Sequence, residues 1–491
     1  MRYLSLILLF IGCAYNLMAQ ESFNLIYDDS GNSELSYFSS EVVQDSSYIV
    51  TATSFNASYS SYLILKIDDK GNVIDSVDIR MDSIKWFPES IDMVNDSIYV
   101  ATGTAYNIFE QEGNFFILKL ASNLDIKFLN FYKFRGGHEG GKKVIAGIDG
   151  GYLLAGFSQT YPNDDSQVYL LKTDNQGKKE WELAYGDSAL GEEPWDILIR
   201  QDSSYIISSE SFHGNGYNIH LANISKDGKM LYQNKIESTI SKGASSLHKV
   251  RNGYILGGVS REDFFANSRA YVVKVDDSFN VIWEKLYTNT PVGSFSAGDQ
   301  YPDGSIIMAG SYDGPETLGD NRDGFLLKID TNGNELWRKV INPKGQYIDD
   351  ADDYFYGVTA TSDGGVLATG FTFSGPISGT QDAWILKLDS LGRCDSATCF
   401  PWLYTGIEDD PAIVKESWLY PNPARNYIQV EFDGSKKELQ IVNMQGQLLK
   451  QQILEQSNAV VDVSALPAGT YVAVLQDVDG ELRRQQFSVV R

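Results

Sequence analysis

The chain has 491 residues and carries 40 Lys+Arg against 65 Asp+Glu, a formal net charge of −25, with 43% hydrophobic and 12% aromatic residues. That apolar content supports packed domains and excludes a disordered polyampholyte, while the acidic balance excludes binding to nucleic acid or to an anionic membrane surface, both driven by Lys and Arg. With 4 His and 3 Cys the chain has material for neither a His-rich metal site nor a disulfide framework, and its length implies two or three domains.

Met1 and Arg2 give a short basic start, and the apolar run 4–11 is too short to span a bilayer. Leu17, Met18 and Ala19 then offer a cleavage site, so residues 1–19 read as a signal peptide. A lipid-attachment reading at Gly12 and Cys13 fits less well, because Phe10 stands where leucine is usual. No other segment reaches about 18 consecutive apolar residues, so no membrane-spanning segment is expected in the mature chain.

From residue 35 to 391 one unit recurs seven times. Its third strand carries the register residue Lys66, Lys119, Lys172, Asn223, Lys274, Lys328 or Lys387, at spacings of 51 to 59 residues. An apolar run precedes each of these strands, and tight Asp/Gly turns open and close it, as at 149–151, 174–177 and 330–333. A fourth strand follows with an aromatic such as Trp181, Trp283 or Trp337. Four antiparallel strands repeated at this period predict an all-β fold, a seven-bladed β-propeller followed by a small β-sandwich. The seventh unit lacks a normal last strand, and the stretch from Phe23 reads like that from Trp181, so residues 22–28 are expected to complete the seventh blade. The units resemble the Gly-Gly-Tyr and Lys-Ile-Asp repeats of secreted bacterial propellers of unassigned role. They are similar more loosely, in blade packing alone, to the tryptophan-bearing blades of quinoprotein dehydrogenases.

Strand alternation places the tight turns on one face and the long links on the other. The long-link face is therefore where a site is expected, with Tyr161, Trp195, Phe212, Tyr217, Phe264, Tyr312, Glu192 and Asp350 as candidate ligand-binding residues. Rings stack on pyranose faces and acids accept hydroxyl hydrogen bonds, which suits sugars; rim packing and solubilising charge is the other reading of the same residues. Acid pairs such as Glu192 with Glu193 could serve glycoside hydrolysis, but adjacency in sequence does not set the separation that chemistry needs, and no catalytic residue is assigned. No metal site and no cofactor is expected: the Asp-x-x-Gly turns complete no calcium loop, and there is no phosphate-binding loop or nucleophile elbow.

Cys394 and Cys399 are expected to form a local disulfide at the end of the last blade. Residues 401–416 read as an acidic, turn-rich linker between the propeller (20–400) and a C-terminal segment (417–491). That segment opens on Tyr420-Pro421-Asn422-Pro423, holds Ser464 to Tyr471 (SALPAGTY), and alternates as short strands, which bottom-up is an antiparallel sandwich. These motifs and the basic C-terminal end resemble the type A sorting domain of the type IX secretion system. The resemblance implies Gram-negative export, the type IX machinery as partner through residues 417–491, and an extracellular or outer-membrane-surface location. Together these readings predict a secreted propeller that binds glycan or protein through its long-link face. The alternatives are a secreted carbohydrate-active enzyme, hydrolase or lyase, using carboxylates on that face, and a purely structural or adhesive surface component.

Overall fold

The computed structural model describes residues 22–27, 34–42, 47–55, 60–134, 137–159, 166–187, 191–213, 216–236, 238, 240–261, 268–287, 293–313, 322–343, 352–373, 381–394, 402–404, 419–420, 424–430, 437–443, 448–454, 459–476 and 482–490. Every regular element among them is a strand. The chain divides into two compact units, 1–408 and 409–491.

The first unit is a β-propeller built from repeated four-stranded antiparallel sheets, which fall in chain order at 34–80, 84–132, 138–185, 192–236, 241–286, 294–342 and 353–388. The last of these contributes three strands of its own, and its fourth is Phe23–Tyr27, paired antiparallel with Asp382–Leu388. The second and third strands of each sheet are near-continuous apolar runs because both of their faces are buried. In Tyr152–Gln159, Leu153 and Ala155 pack toward the fourth sheet while Tyr152 and Leu154 pack toward the second. Six apolar clusters join consecutive sheets in this way, and a further cluster holds Phe23, Leu367 and Ile385 together with Tyr48, Val50 and Leu65.

The recurring lysine is a structural residue. The Lys172 ammonium is buried and lies 2.8 Å from both Asp149 and Glu180; Lys387 lies 2.9 Å from Asp363. Each thus ties the third strand to the Asp of the turn between the first two. The Asp that closes the third strand is structural too. Asp174 Oδ1 accepts the backbone N–H groups of Gln176 and Lys178 at 2.9 and 2.8 Å, and Asp276 and Asp330 do the same in their turns. Glycine takes the positive-φ position in most turns of this class, as at Gly228 and Gly333, where a side chain would also collide with Trp181 or Trp283 of the preceding sheet, while Phe279 takes it in the Asp276 turn. The aromatic that most fourth strands carry therefore docks on the next sheet's turn; Trp181 Nε1 donates to Lys226 O at 2.9 Å.

The N-terminal strand repeats that arrangement. Phe23 stands opposite Lys387 just as Trp181 stands opposite Lys172 and Trp337 opposite Lys328, and its ring sits where a Cβ on Gly71 would fall. Trp384 Nε1 donates to Asn24 Oδ1 at 2.7 Å. Beyond the seventh sheet the chain returns to the sixth, where Trp402–Tyr404 pairs with Glu335–Asn342. Those three residues fall in the stretch that the sequence reads as linker.

In the second unit, Leu419–Tyr420, Tyr427–Val430 and Ala459–Asp462 form one sheet. Lys437–Asn443, Leu448–Leu454, Gly469–Gln476 and Leu482–Val489 form the other. The two share one core that includes Leu419, Ile428, Val461, Leu439, Ile441, Leu475 and Phe487. Tyr471 closes its Pro-Ala-Gly turn by donating its hydroxyl to Pro467 O at 2.7 Å.

Candidate functional site

The first strand of each sheet is innermost, and these strands surround the axis of the propeller. Between them lies a cavity of about 600 Å³, a volume suited to a small ligand. Its walls come from the first strands of the second to seventh sheets, from Glu210 and Arg261 at the ends of second strands, and from Tyr217 at the start of a third. Those strand ends lead into the long links, so the cavity lies toward the face on which the sequence places a site.

Of the sequence candidates, Trp195 and Tyr217 line this cavity. Phe212 is exposed and meets the Tyr217 ring edge-on at 5.6 Å. Glu192 turns away from solvent, accepts the Asp187 N–H at 3.2 Å and packs on Gly186. Tyr312 packs against Phe325 in the core between the fifth and sixth sheets. Tyr161, Phe264, Asp350 and Cys399 lie outside the described residues, as do the segments read as signal peptide and most of the linker. Cys394 is disulfide-bonded.

The charged wall was not among the candidates. Near the long-link end, Lys142 reaches Glu89 at 3.4 Å and Glu193 at 3.8 Å, and lies 5.0 Å over the Trp195 ring. Glu210 and Arg261 line the same region, and among the described residues Glu210 has no ion pair. Further along the axis stand Asp92, Asp196 and Asp299, on the second, fourth and sixth sheets. Each bridges to the next sheet by accepting a backbone N–H: Ala146 at 2.7 Å, Leu247 at 2.9 Å and Ala360 at 2.8 Å. Lys143 sits beside Asp196 at 3.2 Å. These aspartates are two repeats apart, and that spacing was the available signal.

Electrostatics follow from burying so many acids together. Burial raises the Asp92, Asp299 and Glu89 carboxyls above the usual range, Lys142 opposing the shift at Glu89. Burial, with Glu193 adding to it, pushes Glu210 up to about 7 against the pull of Trp195, Lys142 and Arg261. Lys143 is raised, first by Asp196. His248, buried beside this cluster, is lowered to about 4 by desolvation. Among the described residues no group of three or more His, Cys, Asp or Glu is placed to hold a metal ion.

The Glu210 shift has a measurable consequence. Its folded pKa lies above the unfolded one, so the native state retains a proton that the unfolded chain releases between about pH 4.5 and 7, and stability falls across that window. Glu210→Gln, which keeps the neutral form, is expected to stabilise the propeller by about 2 kcal/mol at pH 8 and by almost nothing below pH 4.5. Urea unfolding of both proteins at the two pH values checks this, and an equal effect at both would refute it. The groups that set the shift are Trp195, Glu193, Lys142 and Arg261, with Tyr217 alongside.

The fold and the site define an all-β, cavity-bearing propeller joined to a separate sandwich. Residues 418–487 match the secretion system C-terminal sorting domain family, and the chain is type IX secretion cargo, exported to the cell surface or the extracellular space. No curated protein is similar enough in sequence to count as a relative. Among solved structures the chain is similar to a protein of unknown function from Dyadobacter fermentans, at 8% identity and TM-score 0.42, over 74% of this chain and 97% of that one. It is similar to PorZ, a surface component of the type IX secretion system of Porphyromonas gingivalis, at 12% identity and TM-score 0.27, over 93% and 74%. A third is Sqt1 of Chaetomium thermophilum, at 10% identity and TM-score 0.41, over 75% and 98%.

Proposed function

We propose that residues 20–400, after removal of a signal peptide at 1–19, form a seven-bladed propeller closed by the strand from Phe23. It is delivered by the sorting domain at 417–491 through a linker at 401–416, and it binds a glycan or a protein through the axial cavity on the long-link face. One observation carries the binding reading: a cavity of about 600 Å³ that combines aromatic rings, among them Trp195, Tyr217 and Tyr356, with a wall of carboxyl groups. Rings cover apolar sugar faces and carboxyls accept hydroxyls, whereas an axis packed solid with side chains would suit a purely structural role. A glycan panel on the mature chain, reading binding and released reducing sugar together, tests it. Binding without release is expected, and Trp195→Ala should weaken it at least ten-fold. Silence of the whole panel in the native protein would move the reading to a protein partner.

The enzymatic alternative has one observation of its own. Glu210, held near neutrality beside other carboxyls, has the protonation of a general acid. Release of sugar that Glu210→Gln abolishes would establish that reading in place of simple binding.

A further inference from the structure

Six carboxyl groups, Glu89, Asp92, Glu193, Asp196, Glu210 and Asp299, stand against three cations, Lys142, Lys143 and Arg261, in and around the axial cavity. The cations do not go round. Lys142 is shared between Glu89 and Glu193, and Lys143 is drawn to Asp196. Asp92 and Asp299 are held by backbone N–H groups, and Glu210 has no ion pair among the described residues. Hydrogen bonds from neutral donors hold a carboxylate in place without cancelling its charge, so even with Glu210 half-protonated near pH 7 the cavity keeps an excess of negative potential in a region of low dielectric, and a bound cation would draw the Glu210 proton off.

A second observation points the same way. His248 Nε2 and Ser246 Oγ are buried, at 5% and 1% residue exposure, and neither atom has a hydrogen-bond partner. Both converge on Gly298, a wall residue of the cavity next to Asp299: a Cβ at 298 would lie 2.7 Å from each. Burial keeps the His248 ring neutral, so it can offer a lone pair rather than a competing charge. The aromatic groups fit too, since Lys142 already lies over Trp195, a face that attracts cations.

We propose that the axial cavity takes its ligand by a protonated amine, seated among Glu210, Glu89 and the deeper aspartates, with the ligand's ring or chain against Trp195 and Tyr217. In the glycan reading above, on which this rests, the class is a sugar with a free amino group. A carboxylate or phosphate ligand would add to an existing excess of like charge, and a neutral N-acetyl sugar would leave that excess unanswered.

The experiment is calorimetry on the full mature chain at pH 7 and low ionic strength, with a glucosamine tetramer, an N-acetylglucosamine tetramer and spermine as probes. The two sugars share a ring and differ in charge. The glucosamine tetramer is expected to bind at least ten-fold tighter than the acetylated one and to weaken with added salt. Glu210→Gln should weaken it about ten-fold, and Arg261→Ala, which removes a competing cation, should tighten it. Equal or tighter binding of the acetylated tetramer would overturn the amine while leaving the glycan reading standing. Spermine bound in a Glu210-dependent way, with neither sugar bound, would sustain the amine and remove the glycan. Failure of both amine probes to bind the native chain would overturn the proposal.

Discussion

Replacing Lys143 with methionine is expected to lower the stability of the propeller by about 3 kcal/mol at pH 8, among the largest effects available to a single side chain here. Lys143 is the cation beside Asp196, at 3.2 Å, and both Asp92 and Asp299 add to the field that holds its proton. Breaking a buried pair by removing one partner costs about 3–5 kcal/mol, because a charge is left without compensation. The lower end applies because the Lys143 stem faces the cavity and is 34% exposed, against 9% for Asp196. The three aspartates cannot turn to water instead, since each is fixed by a backbone N–H of the following sheet. Their remaining escape is to take up protons. Burial already holds Asp92 and Asp299 above the usual range, so the loss should shrink as pH falls toward 5. Lys143→Arg keeps the charge and should recover most of the stability. Urea unfolding at pH 8 and pH 5 reads both outcomes, and a loss below about 1 kcal/mol at pH 8 would mean that solvent in the cavity already neutralises the acids.

The same cluster shows why fold and site differ in legibility. The blades were readable because their constraints are local and repeated. In two copies a Lys on the third strand meets the Asp of the turn before the second, as Lys172 meets Asp149, and an Asp-led turn follows the third strand in several, so a short pattern recurs along the chain. Phe23 was readable for the same reason: it occupies the register of Trp181 and Trp337. The cavity obeys no such rule. Glu89, Lys142, Glu210 and Arg261 come from four sheets, and only the ring of first strands brings them together. Of the residues read from the long links, Trp195 and Tyr217 stand on the cavity wall. Tyr312 and Glu192 stand elsewhere, because an aromatic or an acid at a strand end can bury itself against the neighbouring sheet or a backbone N–H as readily as face a cavity. The signal for the axis in the sequence is the recurrence of a buried Asp on the first strands, with Asp92, Asp196 and Asp299 two repeats apart.

Deleting residues 20–27 from the mature chain should remove the cooperative unfolding of the propeller altogether, if the strand from Phe23 closes the ring as proposed. The strand contributes the fourth ladder of the last sheet, with five residue pairs from Phe23–Lys387 to Tyr27–Ala383. It also places the buried Phe23, with Leu25 and Tyr27, in the cluster that holds Tyr48, Val50 and Leu65. Each large apolar side chain removed from such a place costs about 2–4 kcal/mol, so three of them approach the whole stability of a domain, about 5–15 kcal/mol. Two further losses compound this. Asp382–Leu388 becomes a bare edge, and the Trp384 indole loses Asn24 as its acceptor. A propeller held only by packing between the first and last sheets could then separate at that seam, and the exposed edge would favour association between chains. The expected readout is a broad, low-temperature unfolding transition with a rise in oligomer by light scattering, whereas Phe23→Ala alone should give a sharp transition shifted down by about 3 kcal/mol. A deletion that unfolds as sharply as the full chain would show that apolar contact across the seam suffices and that the ladder from Phe23 is dispensable.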